Sequence, residues 1–225
     1  MRVGIVGSGR IGGNAGTQLA RAGHEIMFSS RHPDALEELA SGAPGATTGQ
    51  PEDAVAFGDA VIFAVPWRMV DDAVAQLGAL EGKVVVDTTN QYGAGGVETL
   101  PDGLTAVELN ARRMPGARLA KAFNTMTAGF QRDVAEGRVD REVAMFFASE
   151  DEAAASAASE LIGGCDFVPV RIGGWEQASL IEAPRRDGAV YGETYTPDDA
   201  RRIAEAAARD LDEAARLASE LKIAD

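Results

Sequence analysis

The sequence predicts an α/β protein built on a doubly wound, mainly parallel sheet, with a small C-terminal extension ending in a long helix. Three observations carry this. Short β-rich apolar runs alternate with helix-periodic stretches through the first half of the chain. A glycine cluster stands directly between the first strand and the first helix. An Ala/Glu/Arg-rich pattern of helical period fills the C-terminal end.

The first strand spans residues 2–6 and the first helix 10–22, where Ala, Leu and Ile recur at helical spacing. His24 to Phe28 is the second strand, and Pro33-Asp34 opens a helix, proline being tolerated in a first turn. A weak strand near Ala46–Thr48, a helix from Pro51 and a strong strand at Ala60–Val65 follow. Met69 to Leu77 reads as helix and Lys83 to Asp87 as strand. Then come a helix over Ala106–Arg113, a strand over Leu119–Phe123, and a further helix. Strand Val143–Ala148, helix Asp151–Leu161 and strand Phe167–Val170 complete the repeating part. Residues 173–196 are rich in glycine, proline and charge and read as loop. Pro197 to Leu221 reads as one long helix with acids in its first turn. Residues 1–172 are expected to form the nucleotide-binding domain, and 173–225 a loop-and-helix extension on the substrate side or at a dimer contact.

Composition narrows the partners. The 225 residues are 45% apolar, enough for a sizeable core. No run approaches the roughly 18 apolar residues of a membrane span, and Met1-Arg2 leads into no signal-peptide pattern, so a cytoplasmic protein is expected. A net charge of −14, from 35 acidic against 21 basic residues, opposes nucleic acid and anionic membranes. A phosphorylated ligand must then be caught by a local site. The single cysteine, Cys165, excludes an internal disulfide and reads as a buried structural thiol. His24 and His32, the two histidines, make no convincing metal site.

Gly7-Ser8-Gly9-Arg10-Ile11-Gly12 lies between a strand and a helix, the context a Rossmann-type dinucleotide site requires. Gly7 allows the tight turn, Gly9 lets backbone approach a pyrophosphate, and Gly12 permits close helix–strand packing. The helix N-terminus supplies free N–H groups and a positive dipole end. At the end of the second strand NAD proteins usually place an acid for the ribose hydroxyls. This chain has Ser29-Ser30-Arg31-His32 there. Two hydroxyls and a guanidinium favour a 2′-phosphate, which a carboxylate would repel, so NADP(H) is the expected cofactor.

Two further strand ends point at the same crevice. Val65-Pro66-Trp67 ends one strand, and Trp67 offers either a flat wall near the ribose or nicotinamide or a core or lid tryptophan. Asp87-Thr88-Thr89-Asn90 ends the next, where Asn90 either bonds the cofactor or terminates the strand in an Asx turn. Lys121 lies inside a strand-like run, which favours packing or a salt bridge. No catalytic acid or base stands out.

Together with Lys121-Ala122-Phe123-Asn124-Thr125 and Gly173-Gly174 to Glu182, these residues resemble the family of NADPH-dependent reductases of the deazaflavin coenzyme F420. That family includes the oxidoreductase domain of membrane metalloreductases, and the likeness runs to about residue 183. The resemblance implies that Ser8 to Ile11 wrap the pyrophosphate, that Ser30 and Arg31 hold the 2′-phosphate, and that Asn124 approaches the nicotinamide. From its own context Asn124 could equally be a helix N-cap. The chain departs from the family at Pro33-Asp34-Ala35 and in the segment Arg185–Tyr195.

The function expected is hydride transfer between NADPH and a small-molecule acceptor such as coenzyme F420 or a flavin. Such a reaction needs two rings placed face to face and little acid–base chemistry. One alternative is a reductase of a small carbonyl or imine, with Tyr191, Tyr195 or Glu193 as proton donor. Another is a non-catalytic NADP sensor. The small side chains of the C-terminal helix suit close packing, either on its own domain or on another surface, and the family resemblance implies a homodimer.

Overall fold

The computed structural model describes residues 1–183 and 190–223. In chain order it contains β1 (Arg2–Val6), α1 (Arg10–Arg21), β2 (Glu25–Ser29), α2 (Glu37–Ser41), β3 (Thr47–Gly49), α3 (Pro51–Phe57) and β4 (Ala60–Phe63). Next are α4 (Val70–Val74), β5 (Val84–Asp87), β6 (Tyr92–Gly93), β7 (Gly96–Val97), α5 (Ala106–Arg113), β8 (Arg118–Lys121) and α6 (Ala128–Ala135). The chain continues through β9 (Ala144–Ser149), α7 (Glu152–Gly163), β10 (Val168–Gly173), α8 (Trp175–Ala178), α9 (Pro197–Ala207) and α10 (Leu211–Leu221).

Eight strands form one sheet in the order β10-β9-β8-β5-β4-β1-β2-β3, and β6 and β7 pair separately as a hairpin. The chain runs outward from β1 to β2 and β3, then returns to place β4 on the other side of β1. This reversal makes the crevice between the carboxyl ends of β1 and β4 the topological switch point. Alternate residues of each central strand feed opposite layers. Val61 and Phe63 of β4 join the core beneath α3, α4, α5, α9 and α10, while Ala60 and Ile62 join the one beneath α1, α6 and α7. Each fully buried Ile or Phe contributes about 1.5–3 kcal/mol relative to exposure, which is why β4 reads as an uninterrupted apolar run.

The predicted α/β fold is the observed one, with differences in its second half. β9 pairs antiparallel with β8, and β10 parallel with β9, so the last two strands run against the other six. The expected single helix over Pro197–Leu221 is two helices. Asp210 takes an extended backbone (φ −159°) and its side chain accepts from the Glu213 N–H, starting α10 afresh. Folding back lets Ala206 and Ala207 of α9 and Ala214 and Ala218 of α10 share one core; a straight rod would carry α10 away from it. The segment expected as loop from residue 173 contains the short α8, packed on the sheet through Ala178. The expected helix at Met69–Leu77 is shorter, a 3₁₀ turn over Trp67–Met69 leading into α4. Part of the Arg185–Tyr195 segment, residues 185–189, lies outside the described residues. Among the described residues, no helix is long and apolar enough to cross a membrane.

Candidate functional site

The site begins at the N-terminus of α1. Gly9 precedes the helix, no side chain caps it, and its first turn carries no acid, which leaves backbone N–H groups directed outward. Gly7 has φ 91°, and a Cβ there would sit 2.6 Å from the Ala64 carbonyl oxygen, so the turn requires glycine. A Cβ on Gly12 would lie 2.2 Å from the Gly7 carbonyl oxygen, while one on Gly9 would meet nothing within 4 Å. Gly12 therefore serves packing, and Gly9 faces open space that a pyrophosphate can enter.

A cleft of about 320 Å³ opens here, lined by Gly7, Ser8, Gly9, Ser29, Ser30 and Arg31 on one side and by Val65 and Pro66 on the other. Ser8 Oγ donates to the Ser29 carbonyl oxygen at 3.2 Å, joining the glycine turn to the end of β2. Ser29 is buried and its hydroxyl donates to the Ile5 carbonyl oxygen at 2.8 Å, so that proton is directed into the sheet. Ser30 Oγ accepts from the His32 N–H at 3.1 Å and retains its own proton to donate. Arg31 is exposed at the rim. Arg10, also exposed, opens α1, and Ile11 packs against the core beneath that helix; neither lines the cleft.

Trp67 also lies away from the cleft lining. It is 6% exposed, its indole N–H donates to Glu98 Oε2 at 2.8 Å, and the Arg113 guanidinium lies 4.7 Å from its ring centroid. Of the two readings, the structure places it in the core. Trp175 starts α8 and packs partly buried on that same core.

Asn90 and Asn124 meet at the ends of β5 and β8. Asn90 Nδ2 donates to the Asn124 carbonyl oxygen at 2.9 Å, and Asn124 Nδ2 donates to Asn90 Oδ1 at 3.2 Å and to the Ile181 carbonyl oxygen at 2.7 Å. Asn124 is 5% exposed, and its Oδ1 has no hydrogen-bond partner among the described residues. An orphaned buried acceptor is uncommon in a folded protein. Phe123, just before it, has φ 60°, a left-handed backbone rare for an aromatic residue and characteristic of functional loops. The open Gly9 and the Arg31–Ser30 donors suit the pyrophosphate and the 2′-phosphate of NADP(H), while Asn90 and Asn124 are not among the residues that line the cleft, and the free Oδ1 has the chemistry to accept from a carboxamide.

Beneath the asparagines lies a buried ionic cluster. Lys121 Nζ is 3.0 Å from Asp87 Oδ2 and 3.6 Å from Glu182 Oε1, and it also donates to the Thr89 carbonyl oxygen. Burial pushes the Glu182 carboxyl up, against the pull of Lys121 and of two backbone N–H groups. Asn110 Nδ2 completes the shell at 2.9 Å from Asp87 Oδ2.

Sequence reasoning missed this cluster and part of the cleft wall. Met69, Asp72, Ala73 and Gln76 line the cleft at spacings of three, four and seven, a periodic signal that could have been read from the segment. Of the proposed proton donors, Tyr195 is buried, with its hydroxyl donating to the Ala218 carbonyl oxygen at 3.2 Å and its ring edge-on to Phe146. Glu193 accepts from Lys222 at 3.1 Å. The Tyr191 hydroxyl meets that of Tyr92 at 3.0 Å, and its pKa is raised by burial and this contact. Cys165 is buried, which pushes its thiol up to about 12, as befits an inert thiol.

Residues 2–91 match the family described as NADP oxidoreductase, coenzyme F420-dependent. The metalloreductase STEAP3 of Rattus norvegicus is 25% identical over 182 residues, 81% of this chain and 36% of that protein. The chain thus spans about a third of the length of this curated relative. Among solved structures, the hypothetical protein SMa0349 of Sinorhizobium meliloti aligns with a TM-score of 0.73 at 27% identity, covering 88% of this chain and 96% of its own. A proposed F420-dependent NADP reductase of Arthrobacter sp. FB24 aligns with a TM-score of 0.66 at 26% identity, covering 79% and 87%. The glycine turn, the cleft and the Ser30–Arg31 rim all fall within the matched segment, so it is through residues 2–91 that the chain is similar to the family of F420-dependent NADP oxidoreductases.

Proposed function

We propose that the protein is an NADP(H)-dependent oxidoreductase that moves a hydride between NADPH and a flat heteroaromatic acceptor of the deazaflavin or flavin type, such as coenzyme F420. The reading is carried by one observation: the cleft that follows the glycine turn offers Ser30 and Arg31, and no carboxylate, at the end of β2. The guanidinium fork and the hydroxyl bind phosphate oxygens through charge-assisted hydrogen bonds. The α1 N–H groups hold the pyrophosphate, with the dipole end of the helix opposing its charge. Asn124 Oδ1 accepts from the carboxamide and sets which ring face turns outward. When bound, the nicotinamide supplies the hydride; the chain's part is to align the ring and exclude water. The raised pKa of Tyr191 and the occupied hydroxyl of Tyr195 suit a reaction in which the protein contributes no strong acid.

Two measurements test this. Replacing Arg31 with Ala should weaken NADPH binding by about 10- to 100-fold, the loss of one charge-assisted contact of about 1.5–3 kcal/mol, and leave NADH binding nearly unchanged. Equal losses for both nucleotides would overturn the assignment of the phosphate site. NADPH oxidation followed at saturating F420, FMN and a panel of carbonyls and imines should show turnover with the tricyclic acceptors. Turnover confined to carbonyls or imines would replace the acceptor class, and tight NADPH binding without turnover would favour a sensor.

A further inference from the structure

We infer that Glu182 is a positioning residue: through the segment Ile181-Glu182-Ala183 it fixes the orientation of the Asn90–Asn124 pair against the nicotinamide carboxamide. This rests on the NADP(H) reading above and assigns a role to the buried ionic cluster that the reading does not use.

The geometry is specific. Glu182 Oε2 accepts from the Ala106 N–H at 2.5 Å and Oε1 from the Val107 N–H at 2.9 Å, so both oxygens are pinned to the start of α5. Oε1 also faces Lys121 Nζ at 3.6 Å, and that ammonium is held by Asp87 and the Thr89 carbonyl oxygen at the exit of β5. Glu182 therefore ties its own segment to α5, β8 and β5 at once. Its chain neighbours are the asparagines' partners. The Ile181 carbonyl oxygen accepts from Asn124 Nδ2 at 2.7 Å, and the Ala183 N–H donates to Asn90 Oδ1 at 3.3 Å. Gln91 Nε2 adds a further anchor, donating to the Ala183 carbonyl oxygen at 2.5 Å.

This arrangement decides which way the Asn124 amide points. Its Nδ2 faces two acceptors, Asn90 Oδ1 and the Ile181 carbonyl oxygen, so Oδ1 is the atom left for a ligand. An amide free to turn over would present donor and acceptor alternately. With the Ile181 carbonyl fixed, it presents an acceptor, the complement of a carboxamide N–H. The three ionisable side chains are 0–2% exposed, and burying charge is unfavourable unless each is paired. An apolar plug would pack the same space without pinning a carbonyl oxygen in one direction.

The test compares two ligands of different reach. On the NADP(H) reading, NADPH extends from the cleft to the asparagine pair, whereas adenosine 2′,5′-bisphosphate would reach only the glycine turn and Arg31. Glu182→Gln keeps the side-chain volume but turns a donor group toward the α5 N–H groups and Lys121. By titration calorimetry it should weaken NADPH at least tenfold and leave the bisphosphate within twofold of wild type. Glu182→Gln added to Asn124→Ala should cost NADPH far less than the product of the single effects, because both act through one amide. Equal losses for the two ligands, no loss for either, or a fully multiplicative double variant would overturn the inference. If Glu182→Gln does not fold, Gln91→Leu decides, since it releases the Ala183 anchor without disturbing charge: selective loss of NADPH supports the role and parallel loss refutes it. Wild type that binds the bisphosphate and NADPH equally well overturns it too, because the asparagine pair then adds nothing. Wild type that prefers NADH to NADPH would instead bring down the 2′-phosphate reading, and the Glu182→Gln comparison repeated with NADH, which carries the same carboxamide, would then decide the inference.

Discussion

Arg2 and Asp59 show how much a single pair can be held to. The Arg2 guanidinium donates to Asp59 Oδ1 at 2.7 Å and the Arg2 N–H to Oδ2 at 3.0 Å, which holds the Asp59 carboxyl at about 2. A carboxyl depressed in the folded state stabilises it above its unfolded value of 3.8, and that contribution is lost as pH falls toward 2. Asp59→Asn should therefore lower the urea midpoint at pH 7 and match wild type near pH 2. A difference that does not change with pH would show that the pair acts by packing alone. The pair is half exposed, so the effect at neutral pH is small. Positions set by local context were readable in the sequence: Gly7 and Gly12 sit where the turn and the helix packing require glycine, and Arg31 stands at the cleft rim where the end of β2 puts it. Lys121 could be read as a lysine in need of a salt bridge, but its partners could not be named. Asp87 lies 34 positions away, and the α5 N–H groups that Glu182 caps lie 75 and 76 positions before it. Pairings at that range follow from sheet order, which no local pattern encodes.

Helix α1 separates two uses of glycine that a motif treats alike. Gly12→Ala would drive a Cβ to 2.2 Å from the backbone oxygen of Gly7, which neither neighbour can yield without moving the helix. It should lose about 1–3 kcal/mol of stability, seen as a lower Tm. Gly9→Ala meets nothing within 4 Å, so it should melt like wild type yet bind NADPH more weakly. Similar melting for both variants would contradict the packing described. Most elements could be located because apolar periodicity and caps agree, as at α5, where Thr105 and Glu108 form a capping box. The break between α9 and α10 was hidden because alanine favours helix on both sides of Asp210. An aspartate inside a helical pattern and one that starts a new helix differ only by tertiary contact. The β6–β7 hairpin escaped notice because its strands are two residues each, too short to show alternation.

The molecule as a whole carries a net charge of −14, and its proposed ligand is a polyanion. Arg31 and the α1 dipole act over a few ångströms, whereas the protein's overall field reaches roughly a Debye length, about 30 Å at 0.01 M salt and about 8 Å at 0.15 M. The association rate for NADPH should thus rise several-fold between those ionic strengths, measured by stopped-flow fluorescence. A rate that falls with salt would mean that the local site dominates the field at distance. The doubly wound sheet was legible because strands and helices alternate, and alternation is what βαβ units require. The reversal at β9 was not, since a strand buried on both faces has the same composition in either direction.

That reversal gives the sheet two unlike poles. The carboxyl ends of β1, β2 and β4 open on the cleft and those of β5 and β8 lie on the same edge of the sheet, whereas those of β9 and β10 lie on the opposite edge, where Gly174 packs against Glu150 and Arg118 pairs with Asp151. A tether to a surface or a grafted reporter placed at Glu150–Asp151 would therefore leave ligand traffic through the crevice unobstructed.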